Sequence, residues 1–249
     1  MSPRINELLA HLPDSEYQLI QPHLELACLS KGQDLFVTGD IPTHVYYPTG
    51  AVVSVMKDME DGFSVETFML GRSSLVGHCA FFGRSFYRAN VRSSGLAYKI
   101  PVKTLRRLLP VCPVLMESAM QALGRVIAQL SQAVVCCKHH SVEKQMMRWM
   151  LITLDRTLEP VIEMTHQEVA ERLGFRREAI TLALGKLMER GHIQVRRGTI
   201  EVINRGALEA QVCDCYWIGQ EKTKPQVPSS WDHSSALTRL WRKDMGVGA

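Results

Sequence analysis

The run from Met164 to Glu209, MTHQEVAERLGFRREAITLALGKLMERGHIQVRRGTIEVINRGALE, decides how the rest of the chain is read. Thr165 with Glu168 three residues on forms a capping box, which starts a helix by satisfying its first unpaired N–H groups. Val169, Ala170 and Leu173 share one face of that helix, and Gly174 ends it. Arg176 or Arg177 opens a second helix, in which Ile180, Leu184 and Leu187 recur at i, i+4 and i+7 and mark the buried side. Arg177, Glu178, Thr181 and Lys186 are left largely outward. Gly191 stops this helix, and Ile193, Val195, Arg196-Arg197-Gly198, Ile200 and Val202 read as a two-stranded hairpin wing. A helix, a turn and a second helix form the layout that sets the second helix in the major groove of DNA, its first residues against base edges.

Charge supports that reading locally rather than globally. The whole chain carries a net +4 over 249 residues, too little to imply a polyanionic partner. From Arg172 to Arg205, however, Arg172, Arg176, Arg177, Lys186, Arg190, Arg196, Arg197 and Arg205 face only Glu178, Glu189 and Glu201, a local excess of five positive charges. Such a stripe neutralises phosphates and releases counterions, giving affinity for any DNA sequence. Arg177 matches guanine O6 and N7, and Glu178 matches the cytosine amino group. A solvated charged helix in an ordinary helical domain is the competing reading of the same residues.

Upstream of this segment the period changes twice. Met116, Met120, Leu123, Ile127, Leu130, Val134 and Cys137 are spaced alternately by four and three residues, a heptad seam on one long helix. An identical helix across a two-fold axis is the simplest partner for the seam, and a core helix lying on its own β domain is the alternative. Before it, from Leu26 to about Ile100, short β-like runs are broken by Lys31-Gly32, Gly39-Asp40, Pro48-Thr49-Gly50, Asp61-Gly62, Gly71 and Gly95. These predict an antiparallel roll or barrel, with its clearest hairpin at Ala51 to Met56, Asp61-Gly62 and Phe63 to Leu70. A further helix from about Val142 to Asp155 follows the break at His139-His140-Ser141, where the change of domain is expected. The fold class is therefore α+β. It divides into a β-roll sensor domain over residues 1–112, a dimerisation helix over 113–140, a winged helix-turn-helix over 141–212 and a polar tail over 213–249 with Pro225, Pro228, Ser229 and Ser230.

These segments together resemble the cyclic-AMP receptor and fumarate-nitrate regulator (Crp/Fnr) family. The Met164 to Glu209 run is similar to its winged helix, and KGQDLFVTGD, VYYPTGAVVSV, DGFSVETFMLG and the following Val-Gly are similar to its cyclic-nucleotide-binding-like jelly roll. SVEKQMMRWML and RRGTIEVINRGALEAQVCDCY resemble a subgroup whose effectors are generally unassigned. The resemblance implies a transcription regulator that acts as a homodimer on a near-palindromic site of double-stranded DNA and works with RNA polymerase. It carries the family's base-reading pair onto Arg177 and Glu178 and a further position onto Thr181, with Thr165, Gln167, Arg176, Lys186, Arg196 and Arg197 completing the expected DNA-facing set. Leu182 departs from the arginine that many relatives carry, so a different target sequence is expected. A leucine there meets at most a thymine methyl.

The resemblance also implies a phosphate-binding cassette of Gly-Glu followed by Arg and Ser or Thr. Here Gly77 is followed by His78, and Arg88 by Ala89, so the carboxylate for a ribose hydroxyl and the hydroxyl near the phosphate are both missing. Two lost contacts, at roughly 1 to 3 kcal/mol each, weigh against a cyclic nucleotide. Arg88 is left either for another anion or for a structural ion pair. Iron-sulfur members of the family use an N-terminal cysteine cluster, where this chain has only Cys28. Cys136 and His140 lie at i, i+4 with His139 beside them, but no closed tetrahedral set is visible, and Cys213-Asp214-Cys215 is read as sequence without chemistry. No metal or other cofactor is expected.

Other classes find little support. The residues from Met1 to Pro13 lack a signal-peptide core, and the apolar stretch from Met116 to Cys137 is interrupted by Gln121, Arg125, Gln129 and Gln132, so no membrane span is expected. Seven cysteines without framework spacing fit reduced thiols in a cytoplasm. No Gly-rich phosphate loop, Gly-x-Ser-x-Gly elbow or His-Glu-x-x-His helix occurs, and no enzyme is expected. A ligand-binding module acting through a protein partner, without specific DNA binding, is the remaining rival.

Overall fold

In the computed structural model, which describes residues 2–157 and 161–218, the first half of the chain forms the expected antiparallel roll. Its strands are β1 (Glu25–Leu29), β2 (Asp34–Phe36), β3 (His44–Pro48), β4 (Val52–Asp58), β5 (Ser64–Leu70), β6 (Arg88–Ser93) and β7 (Gly95–Pro101). They make two sheets, ordered β1-β7-β3 and β2-β6-β4-β5. Alternating residues such as Leu29, Phe36, Val53, Val55, Val91 and Ala97 fill the space between them. Gly95 marks the step from β6 to β7, where a Cβ would lie 2.4 Å from the Ala51 nitrogen, so the close approach admits no side chain. The β4–β5 hairpin has the predicted strands, but its turn is wider than a two-residue Asp-Gly loop. Met59 N–H donates to the Phe63 carbonyl at 2.8 Å, and Gly62 takes the left-handed position at φ +85°.

Short helices α1 (Glu7–Ala10) and α2 (Asp14–Ile20) share an apolar cluster with Val45, Tyr47 and Ile100 of the roll, and α3 (Val102–Leu108) leads to the long α4 (Pro113–His139). The buried Glu16 carboxylate accepts from the Val114 and Leu115 N–H groups at 3.0 and 2.9 Å and so caps α4 from 98 and 99 residues away. An acid there meets the unpaired N–H groups and the positive end of the helix dipole together. Leu115, Ala122 and Val126 of α4 pack onto the roll. No single helix among the described residues is long and apolar enough to cross a membrane.

After α4 come α5 (Val142–Leu154), capped by Ser141, then β8 (Val161–Ile162), α6 (His166–Leu173), α7 (Arg177–Glu189), β9 (Ile193–Arg196), β10 (Thr199–Val202), α8 (Arg205–Gln211) and α9 (Cys215–Ile218). The wing differs from the two-stranded expectation: β8 pairs with β10 to give the order β8-β10-β9. A two-residue strand carries too little periodic pattern to be read from sequence. The expected start of the tail at residue 213 is also corrected. Cys213, Cys215 and Tyr216 are buried in the same core as α5 and α7. The Pro225 to Ser230 features lie outside the described residues.

The break at His139-His140-Ser141 does separate α4 from α5, yet the two halves share a core, since Val52 and Met69 of the roll pack with the C-terminal apolar cluster. Beside them lies a buried polar junction centred on Glu66 of β5. Its carboxylate accepts from Arg172 of α6 at 2.9 Å, from the Trp149 indole of α5 at 3.0 Å, from Arg92 of β6 at 3.4 Å and from the Ser54 hydroxyl. The Arg92 guanidinium sits 4.5 Å from the Trp149 ring centre, and burial lowers its pKa to about 10.

Candidate nucleic-acid interface

The helix-turn-helix is built as its residues dictate. The Thr165 hydroxyl accepts from Glu168 N–H at 3.2 Å while the Glu168 carboxylate accepts from Thr165 N–H at 2.7 Å, completing the capping box. That N–H, more than any other group, holds the Glu168 carboxyl below its ordinary range. Gly174 ends α6 at φ +73°, and α7 begins after the extended Arg176. Ile180, Ala183, Leu184 and Leu187 are buried beneath α7. Its opposite face exposes Arg177, Glu178, Thr181 and Lys186. His166 Nδ1 lies 3.0 Å from the Thr181 hydroxyl and ties α6 to α7. Burial first and the nearby Arg177 charge second lower the His166 pKa.

Every residue of the expected DNA-facing set is exposed: Thr165, Gln167, Arg176, Arg177, Glu178, Thr181, Lys186, Arg196 and Arg197. Arg197-Gly198 is the tip of the wing, with Gly198 at φ +76°. Four members already have hydrogen-bond partners within the chain. The Thr165 hydroxyl serves the cap, the Gln167 amide donates to Glu171 at 2.8 Å, Thr181 meets His166, and Arg196 donates to Gln194 at 3.4 Å. The charge count needs a larger correction. Arg172 is held by Glu66, Arg190 by Glu143, and Arg205 by Asp155 and Glu209, so three of the eight basic residues are neutralised by the fold itself. Arg176, Arg177, Lys186, Arg196 and Arg197 form no ion pair among the described residues, and they surround the exposed start of α7 and the wing. Leu182, 65% exposed, lies on the same side of α7.

The segment from Gly77 to Ala89 contrasts with this open surface. Gly77 takes φ +99° against the His44 carbonyl, and His78 lies in an aromatic cluster with Phe68 and Tyr87. Burial lowers the His78 pKa to about 4, so the ring is neutral. Arg88 is spent on a two-pronged pair with Asp58 at 2.9 and 2.8 Å, with Asp34 at 3.4 Å and the Ser64 hydroxyl at 3.1 Å adding to it. This is the structural-pair alternative for Arg88. Ala89 is fully buried. Beside His78 a small, partly open cleft of about 10 Å³ is lined by Leu70, Ser74, Leu75, Ala119, Ala122, Leu123 and Val126, so it is mostly apolar and has little room for a ligand.

A second correction concerns the cysteines. Cys136 and His140 do find further donors: Cys213 and Cys215 join them, with the four donor atoms all within 4.8 Å of one another, while His139 points to solvent. The two halves of this set are about 75 residues apart, a separation with no short-range signature. The paired spacings, Cys-x-x-x-His on a helix end and Cys-x-Cys near the C-terminus, were the available signal.

Comparison with known proteins agrees with both halves of this architecture. Residues 27–110 match the model of the cyclic nucleotide-binding domain, and residues 144–211 match that of the Crp-like helix-turn-helix domain. The global nitrogen regulator of Synechococcus elongatus is 23% identical over 205 residues, covering 76% of this chain and 90% of that protein. The crystal structure of a Crp/Fnr-family regulator from Eubacterium rectale superposes with a TM-score of 0.66 at 16% identity, over 83% of this chain and 97% of that one. The c-di-GMP-responsive global regulator CLP of Xanthomonas campestris gives a TM-score of 0.63 at 18% identity, over 76% and 99%. With a roll, a long helix and a winged helix matched in that order, the chain belongs to the Crp/Fnr family of DNA-binding transcription regulators.

Proposed function

We propose that the chain works as a cytoplasmic homodimer that reads a near-palindromic DNA site with two copies of α7 and acts on transcription through RNA polymerase. The observation that carries the DNA reading is the exposed basic face of α7 and the wing, whose cations form no ion pair among the described residues, whereas the fold neutralises three other arginines. Arg177 and Glu178 in the first turn specify bases, and Thr181 and Leu182 lie one turn on, where Leu182 meets a thymine methyl. Arg176, Lys186, Arg196 and Arg197 lie against the sugar-phosphate walls, with Thr165 and Gln167 flanking them.

The dimer rests on α4. Met116, Met120, Ile127, Val134 and Cys137 are exposed in the single chain, an apolar row that water does not favour. Leu123 and Leu130 are half-buried against the roll and serve both surfaces. Any effector is held by the roll, and it is not a cyclic nucleotide, because Arg88 already has its carboxylates and His78 is a neutral, buried ring. Selection of bound fragments from random DNA is expected to return an inverted repeat. Replacing Ile127 and Val134 by Lys places four like charges at the seam, and sedimentation is expected to find monomer that no longer prefers the repeat. A dimeric variant means that the seam lies elsewhere, and a wild-type protein that selects no sequence overturns the DNA reading.

A further inference from the structure

We infer that Cys136, His140, Cys213 and Cys215 form a zinc site that ties the end of the long helix to the C-terminal end of the DNA-binding domain. Cys136 is in the last turn of α4, His140 is the residue at which the chain leaves that helix, Cys213 lies in the link after α8, and Cys215 starts α9. The three cysteines are free thiols, 1%, 6% and 2% exposed in chain order.

The spacing suits one tetrahedral ion. Zinc bonds of about 2.3 Å to sulfur and 2.0 to 2.1 Å to nitrogen put ligand atoms about 3.8 Å apart for two sulfurs and about 3.6 Å for sulfur and nitrogen. The Cys136 and Cys213 sulfurs are 3.8 Å apart, and the Cys215 sulfur is 3.5 Å from His140 Nδ1. All the remaining separations stay within 4.8 Å, too tight a cage for an iron-sulfur cluster, whose inorganic core holds its thiolates further apart. Three soft sulfurs and one imidazole select zinc over hard cations. A set with four protein ligands leaves no open position, which marks a structural rather than a catalytic ion.

The surroundings supply what such a site needs. Gln145 donates to the His140 carbonyl at 2.9 Å, and Arg148 donates to the Cys215 carbonyl at 3.3 Å. Zinc bound by three thiolates and a neutral imidazole carries one net negative charge, which the Arg148 cation, held at the Cys215 carbonyl, offsets. Zinc binds thiolates, so binding releases the protons of the thiols it takes up, and affinity falls as pH is lowered.

The test uses the full-length reduced protein and the metal alone, without DNA. Zinc content after purification is expected at one ion per chain, and Co²⁺ added to the stripped protein is expected to give the intense visible bands of tetrahedral thiolate coordination. Cys215→Ser and His140→Ala are expected to lose that spectrum, whereas Cys28→Ser and Cys137→Ser keep it. The cobalt titration of the wild-type chain stands even if a ligand variant fails to fold. A reduced, folded wild-type protein that gives no thiolate-cobalt bands overturns the site, and so does a signal abolished by Cys28→Ser or Cys137→Ser.

Discussion

Arg172 and Arg177 are five positions apart in one basic stretch and have opposite fates. Arg177, at the start of α7, forms no ion pair among the described residues and faces solvent. Arg172, on α6, reaches back to Glu66 at 2.9 Å and is largely enclosed by the roll. The partner that decides this is 106 residues away in sequence. A local charge count therefore measures two quantities at once: cations left for an external polyanion and cations already neutralised by the chain. Only the first group contributes counterion release on DNA. Of the second group, Arg172 joins the helix-turn-helix to the roll, and Arg190 and Arg205 tie it to α5, Asp155 and α8.

The largest effect expected from this contrast comes from removing the buried charge. Glu66→Gln leaves Arg92 and Arg172 without their carboxylate in a junction where Glu66 and Arg92 are each 3% exposed, and it is expected to destabilise the protein by about 3 to 5 kcal/mol. Denaturant unfolding reads this directly. A loss below about 1 kcal/mol would mean that the junction does not hold the two halves together. Arg177→Ala, in the same assay, is expected to move stability by no more than about 0.5 kcal/mol.

Next in size is the neutral His78 in the roll. Its folded pKa of about 4 lies below the ordinary value of 6.5, so between these limits the unfolded chain binds a proton that the folded chain does not. Stability is complete above pH 6.5 and falls as pH drops through the window, by about 1.4 kcal/mol per unit and by roughly 3 kcal/mol over the whole of it. His78→Leu is expected to lack this component. Equal slopes for the two proteins between pH 6.5 and 4 would place the imidazole in a wetter setting than the structure does.

The smallest effect is on the wing. Arg197→Ala is expected to weaken all DNA sequences alike and to lower the slope of log affinity against log salt by roughly one unit. A change of base preference in this variant would move the wing tip from the phosphates to a groove floor.

Much of the fold was legible because its signals are local. The capping box at Thr165 and Glu168 and the heptad of α4 each lie within one element, and the strand-turn rhythm from Leu26 to Ile100 joins neighbours in sequence. The exposed residues of α7 were legible for the same reason, since helical periodicity separates Ile180, Leu184 and Leu187 from Arg177, Glu178 and Thr181. The missing parts depend on contacts between distant segments. Glu66 with Arg172, Glu16 with the start of α4, and Cys136 with Cys213 join residues about 75 or more positions apart, and nothing in the intervening sequence encodes their meeting. Arg88 is intermediate: its loss of ligand partners was visible at His78 and Ala89, but its capture by Asp58 was not.

The claim that α7 reads bases while the wing supplies affinity is tested most directly by measuring Arg177→Ala binding to a selected half-site and to its single-base variants at two salt concentrations. The account predicts a loss of about 1 to 3 kcal/mol on the preferred site and relaxed discrimination at one base pair of each half-site. An Arg177→Ala protein that keeps its full base preference contradicts it.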